Sequence, residues 1–228
     1  MHKLIDGYSK FQSEIFPTRK DLFRTLENGQ KPSTLFLTCS DSRIVPDLIL
    51  QSEPGELFIS RNAGNIVPPY GEVNGGVTAT IEYAVLALGV ENIVVCGHSD
   101  CGAMKAVLSG KRHDTMPTVD RWLRHSSVAM HMLPSEDHVT SIDEKDRAKY
   151  RLRALTRANV LMQLQHLQTH PAVATGRQRG LNLFGWVYDI PTGTIESYAP
   201  STRRFEPLQP GASLQPSVAP LQLEWLAS

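Results

Sequence analysis

Two short segments of this chain carry residue types that do chemistry together: CSDSR at 39–43 and GHSDCG at 97–102. The first offers Cys39, Asp41 and Arg43 at alternating positions, which share one side if the backbone stays extended. The second offers His98 and Cys101 with two residues between them, close enough for one turn to present both to a single ion. Two sulfurs and one imidazole suit zinc, which favours tetrahedral thiolate and nitrogen ligands. Three protein ligands leave a fourth position for water, as a catalytic site requires. Spacing alone leaves two other readings open: a closed zinc site with a fourth ligand, or a buried Cys beside a satisfied His. The Asp41–Arg43 pair beside the first cysteine argues for chemistry. A third cysteine, Cys96, falls on a predicted strand two residues before His98, where its side chain should enter core packing.

Both segments begin where an apolar run ends, and the elements around them explain why that matters. Thr34 to Cys39 (TLFLTC), Glu56 to Ser60 (ELFIS), Asn92 to Gly97 (NIVVCG) and Leu183 to Asp189 (LFGWVYD) each read as buried strands. Thr194 to Ala199 can pair with the last of these as a hairpin across Pro191-Thr192-Gly193. Helical patterns lie between them, at 75–88 and over a long polar stretch at 143–168. The class is therefore α/β: a mainly parallel central sheet of about four strands, covered on both faces, with an antiparallel edge. In such sheets ligands bind at the carboxyl ends of the strands, where both segments sit.

Leu4, Tyr8, Phe11 and Ile15 mark an amphipathic first helix that Pro17 should end. Thr18 and Asp21 resemble a capping box opening a second helix, which runs to about Asn28-Gly29. These helices make an N-terminal arm, residues 1–30, whose apolar stripe either packs on the chain's own sheet or wraps a second subunit. One domain over 1–228 accounts for the whole, closing with a Pro-rich tail at 207–228 whose Leu221, Leu223 and Trp225 alternate like a short strand.

Bulk properties exclude several classes of function. Lys plus Arg equals Asp plus Glu at 23 each, so no basic excess points to nucleic acid or an acidic membrane. No apolar stretch approaches the length of a membrane span, and the charged N-terminus MHKLIDGYSKFQSEIF lacks a signal peptide's apolar block. That suggests the cytoplasm, where three cysteines mean metal binding or free thiols rather than disulfides. A formal net charge of zero gives little protection against self-association, so a homo-oligomer is plausible.

CSDSR and GHSDCG, with LFISRNAGN at 57–65, IEYAV at 81–85 and GWVYD at 185–189, resemble the β-class carbonic anhydrases in motif order and distance. LIDGYSKFQ, SRNAGNIVP, GHSDCGAM and LQTHP are similar to the bacterial members encoded beside cyanase. The resemblance implies one zinc ion per subunit on Cys39, His98 and Cys101. It makes Asp41 the hydrogen-bond acceptor for zinc-bound hydroxide, with Arg43 holding its carboxylate off the metal. The implied reaction is hydroxide attack on carbon dioxide to give bicarbonate. Gln30, Phe58, Ala63, Tyr83 and the Gly102 N–H are implied for the substrate pocket, with Gln30 often reaching in from a neighbouring subunit. In family members that bind inhibitory bicarbonate, a Trp, an Arg and a Tyr form the site and the Asp swings onto zinc. Arg61 and Tyr188 match two of these, but Phe36 replaces the Trp and lacks its indole donor, which favours Asp41 staying off the metal.

Zinc lowers the pKa of bound water from ~15.7 toward ~7 with imidazole ligands. Two thiolates cancel the ion's formal charge, so activity here should rise toward alkaline pH. Two rivals remain: hydrolysis of carbon disulfide or carbonyl sulfide on the same scaffold, and a non-catalytic zinc module that would not need Asp41 or Arg43. His113, His125, His131 and His138 lie in the polar middle segment, and none is singled out as a proton shuttle. Phe184 stands where related sequences often carry His, a change with no functional account.

Overall fold

Apolar β-branched runs build the centre of the molecule, which is a computed structural model describing residues 1–72, 75–112, 114–133, 142–211 and 213–218. The strands are β1 (Thr34–Cys39), β2 (Leu57–Asn62), β3 (Asn92–His98), β4 (Asn182–Asp189), β5 (Thr194–Ala199) and β6 (Arg204–Pro207). They form one sheet in the order β2-β1-β3-β4-β5-β6. The first four are mutually parallel, and β5 and β6 add antiparallel at the edge. The expected fold class holds, with β6 as an extra strand that the sequence pattern did not announce. The second strand begins at Leu57 and runs on through Arg61 and Asn62, beyond the expected Ser60.

The helices are α1 (His2–Lys10), α2 (Lys20–Glu27), α3 (Pro46–Leu50), α4 (Gly76–Glu82), α5 (Gly102–Ser109), α6 (Pro117–Ser127), α7 (Glu144–Gln168) and α8 (Pro171–Gln178). One sheet face packs against α7, with Leu35, Leu37, Ile93, Val95 and Leu183 buried against Val160, Leu164 and Leu167. Burying each such side chain stabilises the fold by about 1.5–3 kcal/mol relative to exposure. Two strand glycines let α7 come close. A Cβ at Gly97 would stand 2.9 Å from Val160 and 3.1 Å from Thr156, and one at Gly185 would stand 2.9 Å from both Leu164 and Val160.

The other face is less covered than expected. Phe36, Val94 and Cys96 are buried there, but Ile59, Phe184, Trp186 and Tyr188 are only half-buried. The β1–β2 crossover supplies just the five-residue α3, whose Leu50 joins this cluster. Phe184 thus has a packing role in an aromatic surface.

The first helix gives way just before Pro17, but the chain stays helical across it. Beyond Lys10 the helix widens to a π turn over Phe11–Ile15, then tightens to a 3₁₀ turn over Phe16–Arg19 that accommodates the proline at its start. Thr18 forms no capping box, because its hydroxyl donates backward to the Ile15 carbonyl at 2.7 Å. Phe11, Phe16 and Phe23 cluster inside the arm, and Arg19 donates to Glu53 at 2.8 Å. No residue of α1 or α2 is buried, and Leu4, Ile5 and Tyr8 are 69%, 55% and 60% exposed. The reading in which the stripe packs on the chain's own sheet is therefore not the one observed.

Near the carboxyl end, Ser217 docks between strands. Its N–H donates to the Leu183 carbonyl and its hydroxyl to the Tyr198 carbonyl, while Gly185 N–H donates to that hydroxyl. The strand expected around Leu221–Trp225 lies outside the described residues.

Candidate metal centre

Cys39 is the last residue of β1 and His98 the last of β3, so pairing of these strands brings a thiol and an imidazole to one end of the sheet. A turn over Ser99-Asp100, with Asp100 at φ 60°, then returns Cys101 to the same place at the head of α5. The two sulfurs and a ring nitrogen lie within 4.8 Å of one another, and all three residues are buried. Met104, Ala129, Leu155, Ala158 and Met162 pack around the thiols and shield them.

Each donor is prepared for a cation. His98 Nδ1 donates to the Ser99 carbonyl at 2.8 Å, which fixes the tautomer and leaves Nε2 as a lone-pair donor. That Nε2 is buried and has no hydrogen-bond partner. The Cys39 thiol is held down to about 4 chiefly by a hydrogen bond from Cys101, with further help from the Gly64 N–H and the Asp41 backbone. Its sulfur accepts from Gly64 N–H at 3.4 Å. Cys101 is pushed up, first by its hydrogen bond to Cys39 and then by burial, while the Ala103 and Met104 N–H groups at the helix start favour its thiolate. The Cys39 sulfur and the burial around it oppose ionisation of Cys101, and a dication is what would let both thiols ionise. Two thiolates, one imidazole and an orphaned buried nitrogen fit zinc.

Beside the donors the chain does not stay extended, as the alternating pattern had suggested. Ile44 N–H donates to the Asp41 carbonyl, closing a turn that folds Arg43 back onto Asp41. Arg43 N–H and Nε donate to Asp41 Oδ1 at 3.0 and 2.9 Å, and Nη2 donates to Oδ2 at 2.8 Å. This bidentate grip holds the Asp41 carboxyl far below the usual carboxylate range. Asp41 Oδ2 stands 3.9 Å from His98 Nε2. Arg61 braces the same backbone, donating to the Cys39 carbonyl at 3.0 Å and the Asp41 carbonyl at 2.7 Å.

The pocket residues divide. Ala63 and Gly102 adjoin the centre: Ala63 precedes Gly64, and its carbonyl accepts from Trp122 Nε1 at 2.8 Å, while Gly102 opens α5 with exposed backbone. Phe58 and Tyr83 pair with each other, ring centroids 5.9 Å apart. Phe58 registers with Leu35, four positions before Cys39, or about 13 Å down the strand at ~3.3 Å per residue. One chain therefore does not bring these rings to its own metal donors. Gln30 is exposed between α2 and β1.

Cys96 is buried in the aromatic cluster, and burial pushes its thiol up to about 12. Phe36 meets Trp186 edge-on at 6.1 Å. His125 stands 3.1 Å from Glu72, His131 is exposed, and His113 and His138 lie outside the described residues.

Two features escaped sequence reasoning. Asp100 contacts Arg43 from the side opposite Asp41; the available signal was a second acid in the same strand-end turn. The other is a polar ladder on α7. Asn159 donates to the Gly64 carbonyl, Gln163 donates to Asn159 and accepts from Val67 N–H, and His166 donates to the Val67 carbonyl. His170 continues the line to the Pro68 carbonyl. These residues recur on one helical face among Val160, Leu164 and Leu167, a periodicity readable in principle.

Comparison with known proteins agrees with this geometry. The family model described as "Carbonic anhydrase" matches residues 34–195. A carbonic anhydrase of Pseudomonas aeruginosa is 50% identical over 206 residues, covering 90% of each chain. The structure of the β-carbonic anhydrase CcaA superposes with a TM-score of 0.86 at 40% identity, covering 96% of this chain and 95% of that one. Tetrameric β-carbonic anhydrases from Sordaria macrospora match at TM-score 0.75 and 32% identity, covering 86% of this chain and 95% of theirs. The chain belongs to the carbonic anhydrase family, in its β class. It is a zinc enzyme that hydrates carbon dioxide, with Cys39, His98 and Cys101 as the metal-binding set.

Proposed function

We propose that Asp41 and Arg43 are the catalytic pair of this hydration and that one subunit completes the pocket of another. A zinc ion held by Cys39, His98 and Cys101 would supply an ionised water as nucleophile, at a higher pH than imidazole ligands alone would set because two thiolates offset its charge. Asp41 Oδ2 accepts the hydrogen of that attacking water and so points an oxygen lone pair at the carbon of carbon dioxide. Arg43 keeps the carboxylate ionised and in place. The observation that carries this reading is the unpartnered His98 Nε2 beside two thiols, with a gripped carboxylate 3.9 Å away.

Ala63 and the Gly102 N–H serve the pocket from within the chain, and Phe58, Tyr83 and Gln30 serve it from the neighbour. In support, Tyr83 is 51% exposed and Phe58 stands well down the strand from Cys39. The exposed arm and the half-buried aromatic face suit each other, so the assembly is a homodimer or a higher oligomer built on arm exchange. The matched enzymes of Sordaria macrospora are tetrameric. Residues 1–228 act as one domain with a helical arm and a Pro-rich tail.

Among the described residues no helix is long and apolar enough to cross a membrane, and Cys39, Cys96 and Cys101 are free and buried, which supports a cytoplasmic enzyme. Neither nucleic acid nor a membrane is a partner. Its cellular task is restoring bicarbonate consumed by a partner such as cyanase, a reading that rests on the LIDGYSKFQ, SRNAGNIVP, GHSDCGAM and LQTHP likeness. Phe36 offers no indole donor at its position, which argues against an inhibitory bicarbonate site of the Trp–Arg–Tyr kind.

Stopped-flow hydration of wild type and Asp41→Asn, with zinc content measured, tests the catalytic pair. Full activity in the variant would remove Asp41 from catalysis. Carbonyl sulfide and carbon disulfide run in parallel should turn over poorly, and a preference for either would reassign the substrate.

A further inference from the structure

Arg43 is held from two sides, and the Asp41 carboxylate is only one of them. Nη1 donates to Asp100 Oδ2 at 3.0 Å, and Nη2 donates to the Asp100 carbonyl at 3.2 Å. Lys105, in the first turn of α5, pairs in turn with Asp100 Oδ1. The result is a chain of alternating sign, Asp41–Arg43–Asp100–Lys105, that ties the CSDSR turn to the GHSDCG turn beside the metal donors. The two grips on Arg43 do not compete. Nε and one Nη2 hydrogen serve Asp41, while Nη1 and the other Nη2 hydrogen serve Asp100.

This second grip bears on where the Asp41 carboxylate goes. Its Oδ2 lies 3.9 Å from His98 Nε2, the nitrogen that faces the metal, so a small rotation would add it to the ligand set. A dication and a guanidinium both attract it. Arg43 is long, and its side chain is 43% exposed. Anchored at one end only, it would exchange among rotamers and release the carboxylate for part of the time. Anchored by Asp100 as well, its fork is fixed in the orientation that grips Asp41.

We propose that Asp100, backed by Lys105, is a positioning residue that clamps Arg43, keeps Asp41 off the metal and so leaves the fourth coordination place to exchangeable ligands. The proposal rests on the Asp41–Arg43 reading above. It reaches beyond that pair to a residue that touches neither substrate nor metal.

The test uses full-length enzyme with zinc replaced by cobalt(II), at matched metal content, titrated with thiocyanate and followed by visible absorption. Asp100→Gly removes the carboxylate that grips Nη1 and pairs with Lys105, leaving only the carbonyl contact, and adds no backbone strain because glycine adopts φ 60° freely. Thiocyanate should then bind about tenfold more weakly, as expected if Asp41 takes its place in about nine molecules of ten. Asp100→Asn keeps an acceptor for Nη1 and tolerates the same backbone, so it should stay within about threefold of wild type. Lys105→Met, outside the ligand-bearing turn, should weaken binding by about threefold or less. In the double variant Asp41→Ala/Asp100→Gly no carboxylate remains to compete, and affinity should return to near wild type.

Unchanged affinity in Asp100→Gly overturns the proposal. So does weak binding that persists in the double variant, since that would report a damaged site rather than a competing Asp41. An Asp41→Ala enzyme with wild-type hydration activity would overturn the catalytic-pair reading instead, an outcome the thiocyanate comparison does not produce.

Discussion

Two buried polar clusters meet the same loop, residues 62–70, and the protein treats them in opposite ways. Along α7, Asn159, Gln163 and His166 find partners at Gly64 and Val67, and His170 finds one at Pro68. At the strand ends, His98 Nε2 is equally buried and finds none, with two buried thiols beside it. A buried polar group costs stability unless it is paired. The ladder meets that demand within the chain and so acts as scaffold. The strand-end cluster leaves it to be met from outside and so acts as a site. The loop between them connects the two, because Gly64 gives its carbonyl to Asn159 and its N–H to Cys39.

The sharpest way to break this contrast is His98→Ala. Zinc content should fall from one per chain toward none and hydration should drop to the buffer background, while the ladder keeps the fold. Metal analysis with stopped-flow kinetics and circular dichroism reads all three, and a metal-loaded active variant would erase the distinction. Next comes Asp41→Asn, which should retain zinc and lose about 10²–10⁴-fold in turnover, the range for a positioned proton acceptor. Gln163→Leu should do the reverse, keeping zinc at saturating metal but costing about 1–3 kcal/mol in denaturant unfolding, because Val67 N–H and Asn159 lose their partner.

A smaller effect follows from acid. Burial holds His166 and His170 below their ordinary range, so between that range and their folded values the unfolded chain binds more protons. Stability is therefore full above about pH 6.5 and declines as pH falls, by at most about 1.4 kcal/mol per pH unit for each proton taken up. Replacing both with Gln should flatten that acid limb in pH-dependent denaturant melts. Smallest is Cys96→Ala, expected to cost about 1 kcal/mol with zinc and activity intact. In native wild type this thiol should resist alkylation, since it is buried and pushed up to about 12.

Much of the site was legible because its chemistry is local. Cys39 and His98 end strands that announce themselves as apolar runs, and Cys101 follows within one turn, so sequence spacing translates directly into distance. Arg43 was legible as a partner for Asp41, but the turn that joins them was not, since alternation assumes an extended chain. Asp100 was hidden because its contact with Arg43 spans 57 positions and depends on the β1–β3 register. The α7 ladder was hidden because polar residues on a long helix ordinarily face water. Here the loop they bind is set by tertiary packing that no local pattern encodes. Phe58 and Tyr83 show another limit: their placement in one chain points toward a neighbour, and a sequence has no neighbour in it. The arm shows the same limit, as its apolar stripe was plain while the surface it covers was not.

Gly97 and Gly185 set the distance between helix and sheet, and that distance propagates. An alanine at either would press a methyl against Val160 and Thr156 or Leu164, lifting α7 and with it the loop that steadies Cys39. Such a substitution replaces no ligand atom, although Gly97 directly precedes His98, and should yield a heat-sensitive enzyme whose melting temperature recovers as free zinc is raised, because ligand binding favours the folded state by mass action. Lesions that a growth medium can mask would then map to the middle of the sheet, and their severity would depend on the metal supply of the cell.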